Sequence, residues 1–461
     1  MLSGADSVSL GFDSHCHLHF HHFDEDLAKV VNDSKKAGIS HILIPSIDRA
    51  TAAKAADIAE EYDLYSAAAF HPEHLPEEST EERDWAALKE VLLRSCTVAV
   101  GETGLDFHHK TFAPKKQMHW FRKHIKLAEA LGYSLIVHSR GAEAEVLEEL
   151  SEPLSVPVIL HCWGGDEQLT DTAVSRGFYI GTDGPLTYKK NSKYRRLISR
   201  IPRDKLLVET DSPFLPPEPF RGKRNEPAYT RRINMEIREL WGGRMSIEET
   251  SYILWENAMR AYRLHPENRR ADILYKYGDT LYVNITSSCQ NNCSFCIRRT
   301  EDGLNGYFLK HSEDPSDSLV LSTIGAFPIE NYKELVFCGF GEPTLRSDLL
   351  MKSARAASAR GVKTRLNTNG LCTSFLRDEQ VARLLGCFDS VSISLNASGA
   401  REYNRICPSS VEDSWEQLMK FIKLVKRAGI DSQVSAVSSS GADLQRVKAF
   451  AERLQMSLRI R

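Results

Sequence analysis

Asp13-Ser14-His15-Cys16-His17 follows the apolar run Val8 to Phe12, so a short strand would end on an acid and on two histidines one residue apart. Side chains alternate along a strand, so His15 and His17 point to one side and Cys16 to the other. The apolar runs Ile42 to Pro45, Tyr65 to Phe70, Val98 to Val100, Ser134 to Val137, Val156 to Leu160, Phe178 to Ile180 and Leu206 to Val208 come next, with helical patterns between them. The clearest helix is Lys115 to Leu131, where Met118, Phe121, Ile125 and Ala128 share a face. Runs that are apolar throughout, rather than alternating, fit a parallel sheet covered on both faces. Eight such strands with helical crossovers predict a (β/α)8 barrel of the TIM type over residues 1–265.

The residues just past each strand are more telling than the strands themselves. His71-Pro72-Glu73 comes after the third, Gly101-Glu102-Thr103-Gly104-Leu105-Asp106 after the fourth, His138-Ser139-Arg140 after the fifth, His161-Cys162-Trp163 after the sixth and Glu209-Thr210-Asp211-Ser212-Pro213 after the eighth. A barrel enzyme builds its active site from these strand ends. Imidazoles and carboxylates gathered there are a ligand set for zinc, manganese or a similar divalent ion.

The order DSHCHL, GETGLDFHH, HSR, HCW, ETDSP, closed by NAMRAY at Asn257 to Tyr262, resembles the TatD family of metal-dependent deoxyribonucleases. The resemblance implies two divalent ions (Mg, Mn or Zn), one on His15, His17, Glu102 and Asp211, the other on Glu102, His138 and His161, with Glu102 bridging. It also implies catalytic roles for Glu102 and Asp211, the latter orienting or deprotonating the attacking water. The HCWGG sequence departs from the family in lacking a serine after the aromatic residue. His19, His21 and His22 lie past the strand end and read as loop residues. Two ions sharing a carboxylate, roughly 3.5–4 Å apart, clamp the attacking and leaving oxygens of a phosphodiester. An amidohydrolase acting on a non-nucleic ester or amide would use the same ligands.

Composition bounds the partners. Against 59 lysines and arginines stand 62 acids, a net charge of −3, so contact with nucleic acid must rest on a local patch. Lys189, Lys190, Lys193, Arg195 and Arg196 follow the seventh strand, and Arg221, Lys223 and Arg224 the eighth, where such barrels bind phosphate. The latter three are the expected DNA-backbone contacts. Trp163 and Phe214 stand close enough in sequence for base stacking. No apolar run approaches the roughly 20 residues that span a bilayer, and the N-terminus lacks the pattern of a signal peptide. A cytoplasmic enzyme without membrane contact is expected, its thiols reduced. The sequence leaves the oligomeric state open.

The chain turns polar at His265 to Asp279, and 266–279 reads as a linker. A second domain, 280–461, carries six more apolar runs: Leu281 to Ile285, Leu335 to Phe337, Thr364 to Leu366, Val391 to Leu395, Gln433 to Val437 and Leu458 to Ile460. These predict a partial (β/α)6 barrel. After its first strand come Cys289, Cys293 and Cys296. Three thiolates can hold three irons of a four-iron cluster and leave the fourth iron open. A structural zinc needs four protein ligands, and no second cysteine pair lies at finger spacing. Cys16, Cys96, Cys162, Cys372, Cys387 and Cys407 read as small buried hydrophobes. The spacing CxxxCxxC, with Cys338-Gly339-Phe340-Gly341-Glu342-Pro343, Asn367-Thr368-Asn369-Gly370 and Ser392-Ile393-Ser394, resembles the radical SAM superfamily. The tandem order resembles the radical SAM proteins described as TatD-nuclease-associated. The resemblance implies a [4Fe-4S] cluster and S-adenosyl-L-methionine, with Gly339, Gly341, Glu342, Pro343, Asn367, Asn369, Ser392 and Ser394 lining the cofactor site. It also implies a 5′-deoxyadenosyl radical and an external electron donor. A fifth-strand GxIxGxxE segment is missing; Val437-Ser438-Ser439-Ser440-Gly441 stands in its place. The other class of reading is a non-catalytic protein whose metals and cluster are structural or sensory.

Overall fold

The computed structural model describes residues 10–265 and 269–461. The chain divides into two compact units, Met1–Asn268 and Arg269–Arg461. Val8 and Ser9 of the first expected strand, and 266–268 of the expected linker, lie outside the described residues.

The first unit is an eight-stranded parallel sheet: β1 (Gly11–Asp13), β2 (Ile39–Pro45), β3 (Tyr65–Ala67), β4 (Thr97–Asp106), β5 (Ser134–Arg140), β6 (Val158–Leu160), β7 (Tyr179–Thr182) and β8 (Leu206–Val208). The strands pair in sequence order. Beyond the ends of β8 and β1 the sheet returns on itself through a parallel bridge between Cys16 and Ser212. Ser14 N donates to Val208 O (3.0 Å), Asp211 N to His15 O (2.9 Å) and His17 N to Ser212 O (2.8 Å). The buried Asp13 carboxylate ties the same seam, accepting from Thr210 N at 2.9 Å and Thr210 Oγ1 at 2.6 Å.

Inside the barrel Phe12, Leu43, Ala67, Ala99, Ile136, Ile159 and Leu207 pack against Ala258, Met259 and Tyr262 at the end of helix Ile247–Ala261. Each large apolar side chain so buried stabilises by about 1.5–3 kcal/mol. The NAMRAY segment works from here. Asn257 Nδ2 donates to Arg203 O and Leu206 O (2.6 and 2.8 Å), and Tyr262 Oη donates to Ser14 O (2.9 Å). The helix expected from Lys115 spans Pro114–Leu131, starting on proline and ended by Gly132 at φ 66°. Phe121, Ile125 and Ala128 are buried as their period predicts, while Met118 is half-buried.

The second unit holds β9 (Leu274–Tyr277), β10 (Thr280–Val283), the hairpin β11 (Gly303–Leu304) with β12 (Tyr307–Phe308), β13 (Leu335–Phe337), β14 (Thr364–Thr368), β15 (Ser390–Ser394), β16 (Asp431–Ala436) and β17 (Ser457–Ile460). Its main sheet runs β17-β16-β15-β14-β13-β10-β9. The six expected strands are parallel, as in an open barrel. The seventh corrects the linker reading. Leu274–Tyr277 turns back at Gly278 (φ 63°) and pairs antiparallel with β10, burying Leu274 and Tyr275 while Lys276 and Tyr277 face out. A strand half-covered in this way carries enough polar surface to resemble a linker. Among the described residues, no helix is long and apolar enough to cross a membrane.

Candidate active sites

The strand ends of the first unit bring their histidines and acids together around Glu102, which is 2 % exposed. Gly104 makes this possible. Its φ is 144°, and a Cβ there would stand 2.0 Å from His138 O. Only glycine lets β4 lie close enough to β5 for Glu102 and His138 to meet. The two carboxylate oxygens face different partners. Oε2 lies 3.3 Å from His15 Nε2 and 3.7 Å from His17 Nε2. Oε1 lies 2.9 Å from His138 Nδ1, 3.7 Å from His161 Nε2 and 3.6 Å from His71 Nε2. Asp211 Oδ1 completes the first set at 3.3 Å from His17 Nε2 and 3.9 Å from His15 Nε2, and it reaches His161 Nε2 at 3.9 Å. The backbone of Asp211 is left-handed, φ 54°, a conformation aspartate tolerates at modest cost.

Two further carboxylates stand behind the imidazoles. Asp106 Oδ2 lies 3.1 Å from His138 Nε2, and Glu209 Oε1 lies 3.1 Å from His161 Nδ1. A carboxylate on the far nitrogen fixes the ring and raises the basicity of the near one, the usual support of a metal-binding histidine. Burial pushes the Glu102 carboxyl up, but His15, His161 and His71 outweigh it and hold the group well below the usual carboxylate range. Burial opposes His17 and the neighbouring imidazoles at Asp211 as well, and its pKa is again lowered. For His138 burial lowers the pKa, yet the bonds to Asp106 and Glu102 raise it to about 9. At His161 burial loses to Glu209 and Glu102, and the ring rises to about 10. Buried anions held by imidazoles are a cation site in its proton-filled form. The donor atoms of His15, His17 and Glu102 lie within 4.8 Å of one another, and so do those of His71, Glu102 and His138, and of His15, His161 and Asp211. This donor set fits divalent cations.

The sequence did not mark His71 as a candidate ligand, although it follows β3 (Tyr65–Ala67) as the other candidates follow or end their strands. His19 lies in the turn past β1 as expected, but it is buried, and neither ring nitrogen has a hydrogen-bond partner. His21 and His22 are exposed. Trp163 is fully buried, its Nε1 donating to Thr170 Oγ1 at 2.8 Å, so it is core and not a stacking platform. Arg224 is committed too. Its guanidinium binds both Asp26 oxygens (2.8 and 2.7 Å), Glu226 (2.9 Å) and His22 O (2.6 Å), leaving little for a phosphate. Arg195 pairs with Glu236. Arg221 lies over the Tyr188 ring at 4.3 Å, with no acid beside it in any ion pair found among the described residues.

In the second unit, Gly341 packs against the segment leading to the cysteines. A Cβ there would meet Ser288 O at 2.2 Å and Thr286 O at 2.7 Å. Close approach is the requirement, since neither Gly339 nor Gly341 has a positive φ. Gly341 N donates to Thr286 O (2.9 Å) and Glu342 N to Ser288 O (2.8 Å). The Glu342 side chain is turned inward and accepts from Asn369 N (2.7 Å), Thr344 Oγ1 (2.6 Å) and Thr368 Oγ1 (2.7 Å), joining the motifs after β13 and β14. Both carboxylate oxygens are thus engaged inside the fold. Asn367 Oδ1 is buried without a partner, Asn369 Nδ2 points at Cys289 Sγ (3.8 Å), and Ser392 Oγ accepts from Arg461 Nη2 (3.3 Å). Among the described residues no three cysteine sulfurs gather around one point, as a single zinc would need; cluster thiolates each bind a separate iron and stand apart. Cys407, read as a plain buried residue, stands beside Cys293 and lowers the pKa of its thiol, while its own sulfur accepts from Asn396 Nδ2 at 3.8 Å. The segment around it clamps the cysteine loop, with Asn292 N donating to Pro408 O (2.7 Å) and Ser294 N to Ile406 O (2.9 Å).

The family model "TatD related DNase" matches residues 12–263, spanning this whole constellation. The chain belongs to the TatD-related DNase family. It is 37% identical over 257 residues to the uncharacterized metal-dependent hydrolase YabD of Bacillus subtilis, covering 55% of this chain and 99% of that one. It is 32% identical over 265 residues to the 3′-5′ ssDNA/RNA exonuclease TatD of Pectobacterium parmentieri, covering 55% of this chain and 99% of that one. The crystal structure of YJJV, a TatD homolog from Escherichia coli K12, superposes with a TM-score of 0.50 at 30% identity, covering 54% of this chain and 97% of that one. Residues 283–453 match the Radical SAM superfamily. The protein is thus an enzyme that joins a TatD-type metal-dependent hydrolase to a radical SAM domain, and the two families together imply divalent metals, an iron–sulfur cluster and S-adenosylmethionine.

Proposed function

We propose that the TatD domain is a two-metal phosphodiesterase acting on DNA or a related nucleic acid, and that the radical SAM domain carries a [4Fe-4S] cluster. The division of Glu102 carries the first reading: one oxygen faces His15 and His17, the other His138 and His161. His15, His17, Asp211 and Oε2 would hold one cation; His138, His161 and Oε1, with His71 beside them, would hold the other. Two divalent ions at such a site lower the pKa of water and neutralise charge on a phosphodiester. Asp211, kept anionic by its imidazoles, accepts the proton of the attacking water at Oδ1. Asp106 and Glu209 hold His138 and His161 in the orientation and tautomer that direct the near nitrogen inward. Arg221 and Lys223 bind the nucleic-acid backbone, while Arg224 anchors their loop to Asp26. Support for a nucleic-acid substrate comes from the Pectobacterium relative's name and from the family itself; an amide substrate has no such support. Glu102→Ala in the full chain should lower metal stoichiometry and abolish cleavage of a single-stranded oligonucleotide together. Full activity in that variant would sink the assignment.

In the domain proposed to span 280–461, with Leu274–Tyr277 added at its edge, Cys289, Cys293 and Cys296 would bind the cluster. The 339–343 backbone, Asn367, Asn369, Ser392 and Ser394 would receive S-adenosylmethionine, and the orphaned Asn367 Oδ1 supports a polar ligand there. Such a cluster would supply one electron to the sulfonium, breaking its S–C5′ bond to give methionine and a 5′-deoxyadenosyl radical. Anaerobic reconstitution followed by measurement of S-adenosylmethionine cleavage under an external reductant tests this. A cluster-loaded protein that leaves the cofactor intact would refute it.

A further inference from the structure

A row of aromatic rings leads from the metal-ligand cluster to solvent. His17 stacks on Phe20 with centroids 4.9 Å apart and ring planes 20° apart. Phe20 meets Phe214 at 5.7 Å, edge to face. The buried His19 packs edge to face with Phe20 at 4.5 Å. Phe214 stands three residues after Asp211, fixed by two backbone bonds: its N donates to Asp211 O (2.9 Å) and its O accepts from Asn225 Nδ2 (2.7 Å). Yet Phe214 is 47 % exposed. A single exposed ring needs no explanation. Two touching rings held rigidly at the rim of a cation site, one of them open to water, form a platform with a vacant face.

We infer that Phe20 and Phe214 form a stacking shelf for the nucleobase next to the phosphodiester being cut. This rests on the nuclease reading and adds to it two positioning residues, Phe20 and Phe214, which would hold an unpaired nucleotide with little regard to base identity. Every base offers a π-face and duplex bases are already stacked on their neighbours, so a lone aromatic shelf favours single-stranded ends. The His17–Phe20 stack links the shelf to the first ligand set, so a base resting on Phe214 would hold its own phosphate near Asp211. Nothing in the shelf reads a base edge.

The test uses the manganese-loaded full chain and two single-stranded oligonucleotides that differ only in an intact or abasic terminal nucleotide. For the wild type, removing the base should lower kcat/KM about five- to 150-fold, mainly through KM. In Phe214→Ala the same removal should cost less than about twofold, and Phe214→Trp should restore the discrimination, which a merely structural role for Phe214 would not do. Discrimination that survives in Phe214→Ala, or a wild type indifferent to the base, would overturn the shelf while leaving the nuclease intact. Cleavage of neither oligonucleotide by the wild type would overturn both.

Discussion

Replacing Asp106 by asparagine tests how the second cation set is built. Asp106 is wholly buried, and its Oδ1 accepts from the amides of His108 and His109 at 2.9 and 2.8 Å. An asparagine carbonyl can keep both bonds, so the turn should survive. Its amide nitrogen then replaces Oδ2, 3.1 Å from His138 Nε2. With Nδ1 facing Glu102, Nε2 must carry the proton, and two donors confront each other. The ring either tilts away or takes the wrong tautomer. Loss of such a supporting carboxylate costs 10–100-fold in metal affinity, about 1.4–2.8 kcal/mol. Calorimetric titration of the metal-free protein with manganese should show one binding step weakened by that factor. The other step, on His15, His17 and Asp211, should stay within about twofold, because Asp106 touches none of these residues. Equal weakening of both steps, or none, would refute the division of Glu102 between two cations.

The same rings set a pH dependence. His138 and His161 hold their protons to about 9 and about 10, above the ordinary value of 6.5. The metal-free protein therefore has this stabilisation in full below that value and loses it as pH climbs through the raised ones. Cations compete with those protons, so metal affinity should rise from about pH 6 to about pH 8; thermal melts with and without chelator would show it, and a flat affinity would contradict it. Neutralising Arg221 and Lys223 should flatten the salt dependence of DNA binding by roughly one unit of log–log slope per lost phosphate contact. Arg224→Ala should instead lower thermal stability, since it breaks a half-buried ionic network; an unchanged melting temperature would speak against that role. Cys289→Ala, Cys293→Ala and Cys296→Ala should each abolish the cluster absorbance. Cys338→Ala and Cys407→Ala should retain it, and the hydrolase should be unaffected throughout, because its ligands all precede residue 212.

The barrel, and the histidines and acids that gather at its strand ends, were legible because both arise from local rules. Period-two alternation put His15 and His17 on one side, and each strand end advertised its own imidazole or acid. What the sequence hid depends on pairs far apart along the chain. Asp106 reads as part of a turn until His138 is set beside it by strand pairing, and Glu209 gains its role only against His161. Arg224 looked like a free cation because its partner Asp26 lies near the other end of the barrel sequence. Cys407 looked inert for the same reason, its neighbour Cys293 being over a hundred residues earlier. The strand at Leu274–Tyr277 escaped notice because only its first half is covered, leaving Lys276 and Tyr277 exposed.

The seam between β1 and β8 has a consequence for how the protein is made. Glu102, His138 and His161 come from three successive strands, so their donor set can assemble while the nascent chain is still short. The other set waits: His15 and His17 are translated first, but Asp211 emerges only with the last strand, and the bonds from Ser14 to Val208 and from Asp211 to His15 form at that moment. A ribosome stalled before Leu206 would hold a chain with a full complement of donors for one ion alone. If the two sets take two ions, uptake of the second would mark the completion of the ring, and a manganese pulse during synthesis would register it.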